Sequence, residues 1–196
     1  MSIKAGLKLV VGVGYNDGQY KTYDVSSGKH TKEYHLWKGM LTRCYIKTKF
    51  YEDSSVSENF KNYSYFYEWC NDQKGFNQDG FELDKDLLFK GNTVYSENSC
   101  VFLPKELNKV LTNRKRHRGK YPVGVSYHKA SGKFSATCSF DGKSHHLGVY
   151  STVEEAFSVY KQAKEVYVKE LAIKWKDVID ERAYVALISF TVNIND

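Results

Sequence analysis

Apolar positions along the 196-residue chain change period three times, and each change marks a different kind of element. A short apolar segment from Leu7 to Val13 predicts a strand ahead of a Gly/Asn/Asp turn. Gly12 and Gly14 form a G-x-G without the rest of a dinucleotide fingerprint, so they read as that turn. In "YHLWKGMLTRCY", Tyr34, Trp37, Met40, Leu41 and Cys44 recur at helical spacing, and in "NFKNYSYFYEWCND" Phe60, Tyr63, Phe66, Tyr67 and Cys70 do the same. Two amphipathic helices packed face to face would cover both stripes, which makes Trp37 and Trp69 core residues rather than a base-stacking surface. "FELDKDLLF", a Gly-Asn loop, "SCVFLP" and "PKELNKVLTN" then predict strand, loop, strand and helix, with Pro104 in the first helical turn.

From Val123 the period becomes two. Val125 and Tyr127 oppose Ser126 and His128; Phe134, Ala136, Cys138 and Phe140 oppose Ser135, Thr137 and Ser139. After an Asp141-Gly142 turn, Leu147 and Val149 oppose Ser144 and His146. This predicts three antiparallel strands with one apolar and one polar face. A helix follows, with Ser151 or Thr152 as N-cap and Glu154 and Glu155 in its first turn; Val153, Ala156, Phe157, Tyr160, Ala163, Tyr167 and Leu171 would cover the sheet. The segment after Trp175 is apolar enough to be ordered, as either a helix or a strand. The fold class is therefore α+β.

Composition changes this picture little: 41% hydrophobic residues suffice for a core, and 16 Tyr and 11 Phe suit sheet packing. The N-terminal apolar run is too short for a signal peptide or a membrane span, which predicts an intracellular, cytoplasmic protein with no membrane partner. The widely spaced Cys44, Cys70, Cys100 and Cys138 read as reduced thiols, and no zinc site is expected. Charge matters more. Lys105 to Tyr150 holds ten Lys/Arg and two acids, a net +8 within a chain of net +6. A basic centre on an otherwise slightly acidic chain is the footprint of a polyanion.

The stretch from Val123 to Tyr160, with its Gly-Val opening strand, "GKFSATCSF" and "LGVYSTVEEAFSVY", resembles the AP2 DNA-binding domain. The resemblance implies a sheet lying in the major groove of duplex DNA, with Ser126, His128, Thr137, Ser139, Ser144 and His146 facing the bases. The tract with Arg114, Lys115, Arg116, Arg118 and Lys120 would hold phosphates. The signatures "YHLWKGMLTRCY", "LDKDLLFKGNTVYSENSCVF" and "PKELN" resemble phage and bacterial HNH-type proteins with a C-terminal AP2 domain, many of them homing endonucleases. That resemblance implies a phage-encoded protein in a bacterial host and a ββα-metal core binding Mg²⁺ or Mn²⁺. Its domains would be a nuclease part over 1–112 with the ββα core at about 81–112, a basic linker over 113–121, an AP2-like domain over 122–175 and an extension over 176–196.

By position in that motif, Asp84 and Asn108 would bind the metal, Lys85 stands where the base is usually histidine, and Asn98 would be the loop asparagine that orients it. Histidine accepts protons near neutrality, whereas a lysine ammonium is an acid of pKa about 10.4, and carboxylates beside it favour the charged form. Lys85 could then stabilise phosphate charge; Asp86 or His117 could act as base; or the chain could bind DNA as a regulator or accessory protein without cutting it. RNA binding is the weaker expectation, because a strand-bearing face suits the wide major groove of a DNA duplex.

Overall fold

A computed structural model describes residues 7–46, 53–112 and 119–196. The chain is α+β and divides into two compact units, Met1–Leu103 and Pro104–Asp196.

In the first unit the segment from Leu7 forms a turn rather than a strand. Val10 and Gly14 make an isolated bridge, and Val11 and Gly12 take positive φ of 55° and 74°. The reason is packing: a Cβ on Gly14 would lie 2.4 Å from Leu41 Cδ1 and 2.7 Å from Trp37 Cζ2, so the chain passes directly over helix α1 (Lys32–Tyr45). A hairpin of β1 (Tyr23–Asp24) and β2 (Lys29–His30) precedes α1, which Thr31 caps by accepting from Tyr34 N–H. Strand β3 (Ser55–Val56) and a 3₁₀ turn over Asn59–Lys61 lead into α2 (Tyr63–Asp72), capped by Asn62. Trp37, Met40, Leu41, Phe60, Tyr63, Phe66 and Cys70 are fully buried, the two helical stripes meeting as the spacing predicts. Buried aromatic polar atoms are matched: Trp37 Nε1–H donates to Phe60 O at 2.7 Å and Tyr63 O–H to Lys21 O at 2.9 Å.

The unit closes with β4 (Phe81–Asp84), β5 (Val94–Tyr95) and β6 (Val101–Pro104); β4 pairs with β6, and β3 pairs in parallel with β5. β4 ends at Asp84, four residues long, instead of running through Phe89. Asp84 Oδ1 accepts the N–H groups of Asp86 (2.9 Å) and Leu87 (2.8 Å), an Asx turn that takes the backbone out of the ladder.

The second unit begins with α3 (Lys105–Leu111), which the sequence groups with the nuclease part. Its place follows from its partners on α4 (Val153–Trp175). Glu106 accepts from Lys174 Nζ at 2.8 Å and Trp175 Nε1 at 2.9 Å, and Lys164 Nζ reaches Val110 O at 2.6 Å. Strands β7 (Val125–His128), β8 (Lys133–Phe140) and β9 (Lys143–Tyr150) form the antiparallel sheet in that order. Ala136 and Cys138 face α4, where Ala156, Phe157, Tyr160, Tyr167, Val168, Leu171 and Ala172 are buried; Ala163 is only partly covered. Tyr127 is 47% exposed and packs edge-on against Phe134 instead of joining this core.

Thr152 is the N-cap of α4, and Glu155 completes a capping box. Thr152→Ala should therefore lower stability by about 1 kcal/mol. Thermal melting checks this, with a fall of roughly 4–8 °C for a domain of this size.

The segment after Trp175 is a helix and then a tail. α5 (Glu181–Ile188), capped by Asp180, buries Ala183 and Leu187. The tail then returns to α4: Val192 is buried beside Cys138, Phe157 and Tyr160, its N–H donating to Glu165 Oε1 and its carbonyl accepting from Lys161 Nζ. The extension over 176–196 thus completes the core of the second unit.

Candidate nuclease loop and nucleic-acid interface

In the first unit the Asx turn at the end of β4 places Asp84, Lys85 and Asp86 at the mouth of a loop that returns as β5. The Asp84 side chain is partly buried. Desolvation raises its pKa above the ordinary carboxylate value; the Leu87 N–H opposes this, and the Asp86 charge adds to it. Lys85 is buried, with 8% exposure, and its ammonium donates to Asp86 Oδ1 and to Asn92 O. Asn92 locks the other side of the loop: its amide donates to Lys85 O at 2.7 Å and Val94 O at 2.8 Å, and its Oδ1 accepts from Val94 N–H at 3.2 Å.

The asparagine that grips the Lys85 backbone is Asn92, a residue the sequence reading did not single out. Asn98 is exposed in a separate turn, which Ser96 and Ser99 close with a 2.8 Å hydroxyl pair. Asn92 carries a readable signal, since it follows Gly91, whose φ of +79° marks the sharp turn of "KGN". Asp86 is exposed beside the Lys85 ammonium.

Both hydrogen bonds of the Asp84 carboxylate fall on Oδ1, which leaves Oδ2 for a cation. Among the described residues no three His, Cys, Asp or Glu side chains gather into a cage. The donor set fits a hard cation held by one carboxylate, waters and substrate oxygens, the habit of Mg²⁺. Asn108, the other expected ligand, lies on α3 in the second unit, where its carbonyl accepts from Thr112.

In the second unit the polar face of the sheet is built row by row: Ser126 opposite Ser135 opposite Val149, His128 opposite Lys133, Thr137 opposite His146, and Ser139 opposite Ser144. Ser126, His128, Ser139, Ser144 and His146 are exposed and Thr137 is half-buried. Ser135 is buried among them and hydrogen-bonded to His146 Nδ1 at 3.1 Å, while His128 Nδ1 meets Ser131 Oγ at 2.8 Å.

Strict alternation misplaces Val149. Between Ala136 and Thr137 the register shifts, leaving Leu147 as an extra residue in β9. This bulge reverses the facing of the residues beyond it, so Leu147 packs on the core while Val149 lies on the polar face, 36% exposed. Lys133 joins that face as well, and the alternation that places Ser135 there could have found it.

Among the described residues no acid stands on this face. Asp141, the one acid between Gly119 and Tyr150, is held at the hairpin turn by Tyr167 O–H at 2.9 Å. Lys120 is exposed beside the Tyr121 ring. Arg114, Lys115, Arg116, His117 and Arg118 lie outside the described residues. Cys70, Cys100 and Cys138 are buried free thiols and Cys44 is partly buried; burial pushes Cys44 up to about 11 and Cys100 up to about 12, so neither is a nucleophile at neutral pH. No helix among the described residues is long and apolar enough to cross a membrane. Comparison with known proteins yields no matching family model, curated protein or solved structure.

Proposed function

We propose that the chain is a divalent-metal-dependent endonuclease acting on duplex DNA, of the HNH-like homing type, with a nuclease loop at Asp84–Asn92 and an AP2-like sheet that grips the duplex. The observation that carries this reading is the loop itself. A desolvated carboxylate and a buried ammonium side by side at a strand end are costly to fold, and such arrangements concentrate at functional sites.

In this reading Asp84 is the residue that would hold Mg²⁺ or Mn²⁺. Such a cation polarises a phosphoryl oxygen and lowers the pKa of a bound water. Lys85 is a fixed donor rather than a base: both of its hydrogen bonds spend ammonium protons, and Asn92 clamps its backbone, so its charge is preorganised toward a phosphate. Asp86, exposed at the same point, is the proton acceptor of the attacking water. The acid-free polar face of the sheet contributes Ser126, His128, Thr137, Ser139, Ser144 and His146 to base edges. Lys120, Lys133 and the tract Arg114, Lys115, Arg116 and Arg118 contribute to phosphates.

The test is incubation of the protein with supercoiled plasmid and phage genomic DNA in Mg²⁺, Mn²⁺ or EDTA. Metal-dependent nicking or linearisation is expected. DNA that is retarded on a gel yet uncut in every condition would overturn the nuclease and leave a DNA-binding regulator.

A further inference from the structure

We propose that Arg43 and Lys85 together form a phosphodiester-binding site in the first unit, with the Arg43 guanidinium as a direct contact to a DNA phosphate. This deepens the nuclease reading and rests on it for the identity of the ligand.

Arg43 stands in the last turn of α1, far in sequence from the loop, yet both converge on one side chain. Its Cζ lies 5.5 Å from the centroid of the Tyr95 ring, and Lys85 Nζ lies 5.6 Å from the same centroid. Tyr95 and Lys85 are buried and Arg43 is half-buried, so the guanidinium rests on an aromatic surface at the edge of the solvent. Asp86 already balances the Lys85 charge, which leaves Arg43 as the cation on this ring without a carboxylate partner among the described residues.

The carboxylates nearest in sequence to Lys85 are already engaged. Asp86 is paired with Lys85 itself, and Asp84 Oδ1 is held by two backbone N–H groups. The adjacent Cys44 thiol stays protonated at neutral pH, because burial outweighs the opposing pull of Arg43 and Lys85.

Arg43 Nε is buried and has no hydrogen-bond acceptor among the described residues. A buried guanidinium donor without an acceptor is rare in folded proteins, which makes it a donor suited to a ligand oxygen. The guanidinium fork matches two oxygens of a phosphodiester, and Lys85 supplies a point charge against the same ring. Lys85 is the residue next to Asp84, so a phosphate held against Lys85 would lie by that carboxylate.

The experiment measures affinity of the full chain for a 20–30 base-pair duplex, on the order of the site sizes of such proteins, across a salt series in EDTA. Wild type, Arg43→Gln and Arg43→Lys are compared, each checked by thermal melting. Arg43→Gln should bind more weakly and reduce the slope of log affinity against log salt by about 1, the signature of one lost phosphate contact. Wild-type affinity and slope in a folded Arg43→Gln protein would overturn the proposal.

Should Arg43→Gln fail to fold, Arg43→Lys keeps the charge and loses the fork. It is expected to bind several-fold more weakly, and wild-type affinity there would overturn the proposal equally. Binding in EDTA separates this site from the chemistry: a protein that never cuts but shows the Arg43 slope change fails as a nuclease and keeps its phosphate site. A slope change confined to an RNA duplex of the same sequence would count against it.

Discussion

Asp84→Asn should abolish metal-dependent cleavage, by on the order of 10³-fold or more, while leaving the protein folded and at neutral pH more stable than the wild type. The amide retains an oxygen that can accept the Asp86 and Leu87 N–H groups, so the Asx turn that ends β4 survives. What disappears is a desolvated charge. The folded-state pKa of Asp84 is raised, which means that its favourable contribution to folding is present below the ordinary carboxylate range and is lost as pH rises through the raised value. Above that value the carboxylate is a burden that the amide does not share. Melting curves taken from about pH 3 to about pH 8, a range that spans carboxylate titration, should show the variant gaining on the wild type as pH rises.

Magnesium should then raise the wild-type melting temperature, because a ligand that binds only the folded state stabilises it, and should leave Asp84→Asn unmoved. Asp84→Ala differs in kind: it removes the acceptor of both turn hydrogen bonds and should cost about 1–3 kcal/mol in addition to activity. Cleavage by Asp84→Asn at the wild-type rate would remove this carboxylate from the metal.

The second large effect is expected at Gly124, where alanine should unfold or severely destabilise the second unit. Gly124 has φ +77°, a conformation that disfavours side chains by about 1–2 kcal/mol. A Cβ built there would lie 2.1 Å from Tyr160 Cδ2 and 2.3 Å from its Cγ, well inside any tolerable contact. Tyr160 is buried on α4, so relief requires either the ring or the strand to move, at a further cost of about 1–3 kcal/mol. Together these, about 2–5 kcal/mol, are a large fraction of the roughly 5–15 kcal/mol that holds a domain folded.

Trp175 fluorescence reports on the second unit and Trp37 and Trp69 on the first, which makes the loss visible as a partial change of the tryptophan signal. Adding Tyr160→Ala to Gly124→Ala should recover part of the damage, a favourable coupling in a double-mutant cycle. Additive costs would show that Tyr160 is not what alanine meets.

Much of this architecture was legible because its forces are local and periodic. Trp37, Met40, Leu41 and Phe66 fall on helical stripes that only burial can explain, and they are buried. Ser151 and Thr152 both read as N-caps ahead of Glu154 and Glu155, and the pair Thr152 with Glu155 forms the capping box; the Asp141-Gly142 turn joins β8 to β9. Asp84 and Lys85, adjacent in sequence, were legible as a carboxylate and a cation at the end of a strand, and β4 ends at Asp84.

What required tertiary structure was every choice between partners that sequence distance does not rank. Asn92 and Asn98 both come after the strand in a polar loop, and only the closing of that loop on Lys85 selects Asn92. Periodicity places Leu147 and Val149 together, but a single extra residue in β9 separates them, because a bulge costs little in sequence and reverses a face. Helix α3 could have served either unit until Glu106 met Lys174 and Trp175, and the segment after Trp175 had no assigned purpose until Val192 returned to α4. Arg43 shows the same limit. Nothing in "LTRCY" points to residue 85, and the convergence of both cations on Tyr95 arises only when α1 and β5 pack around one ring.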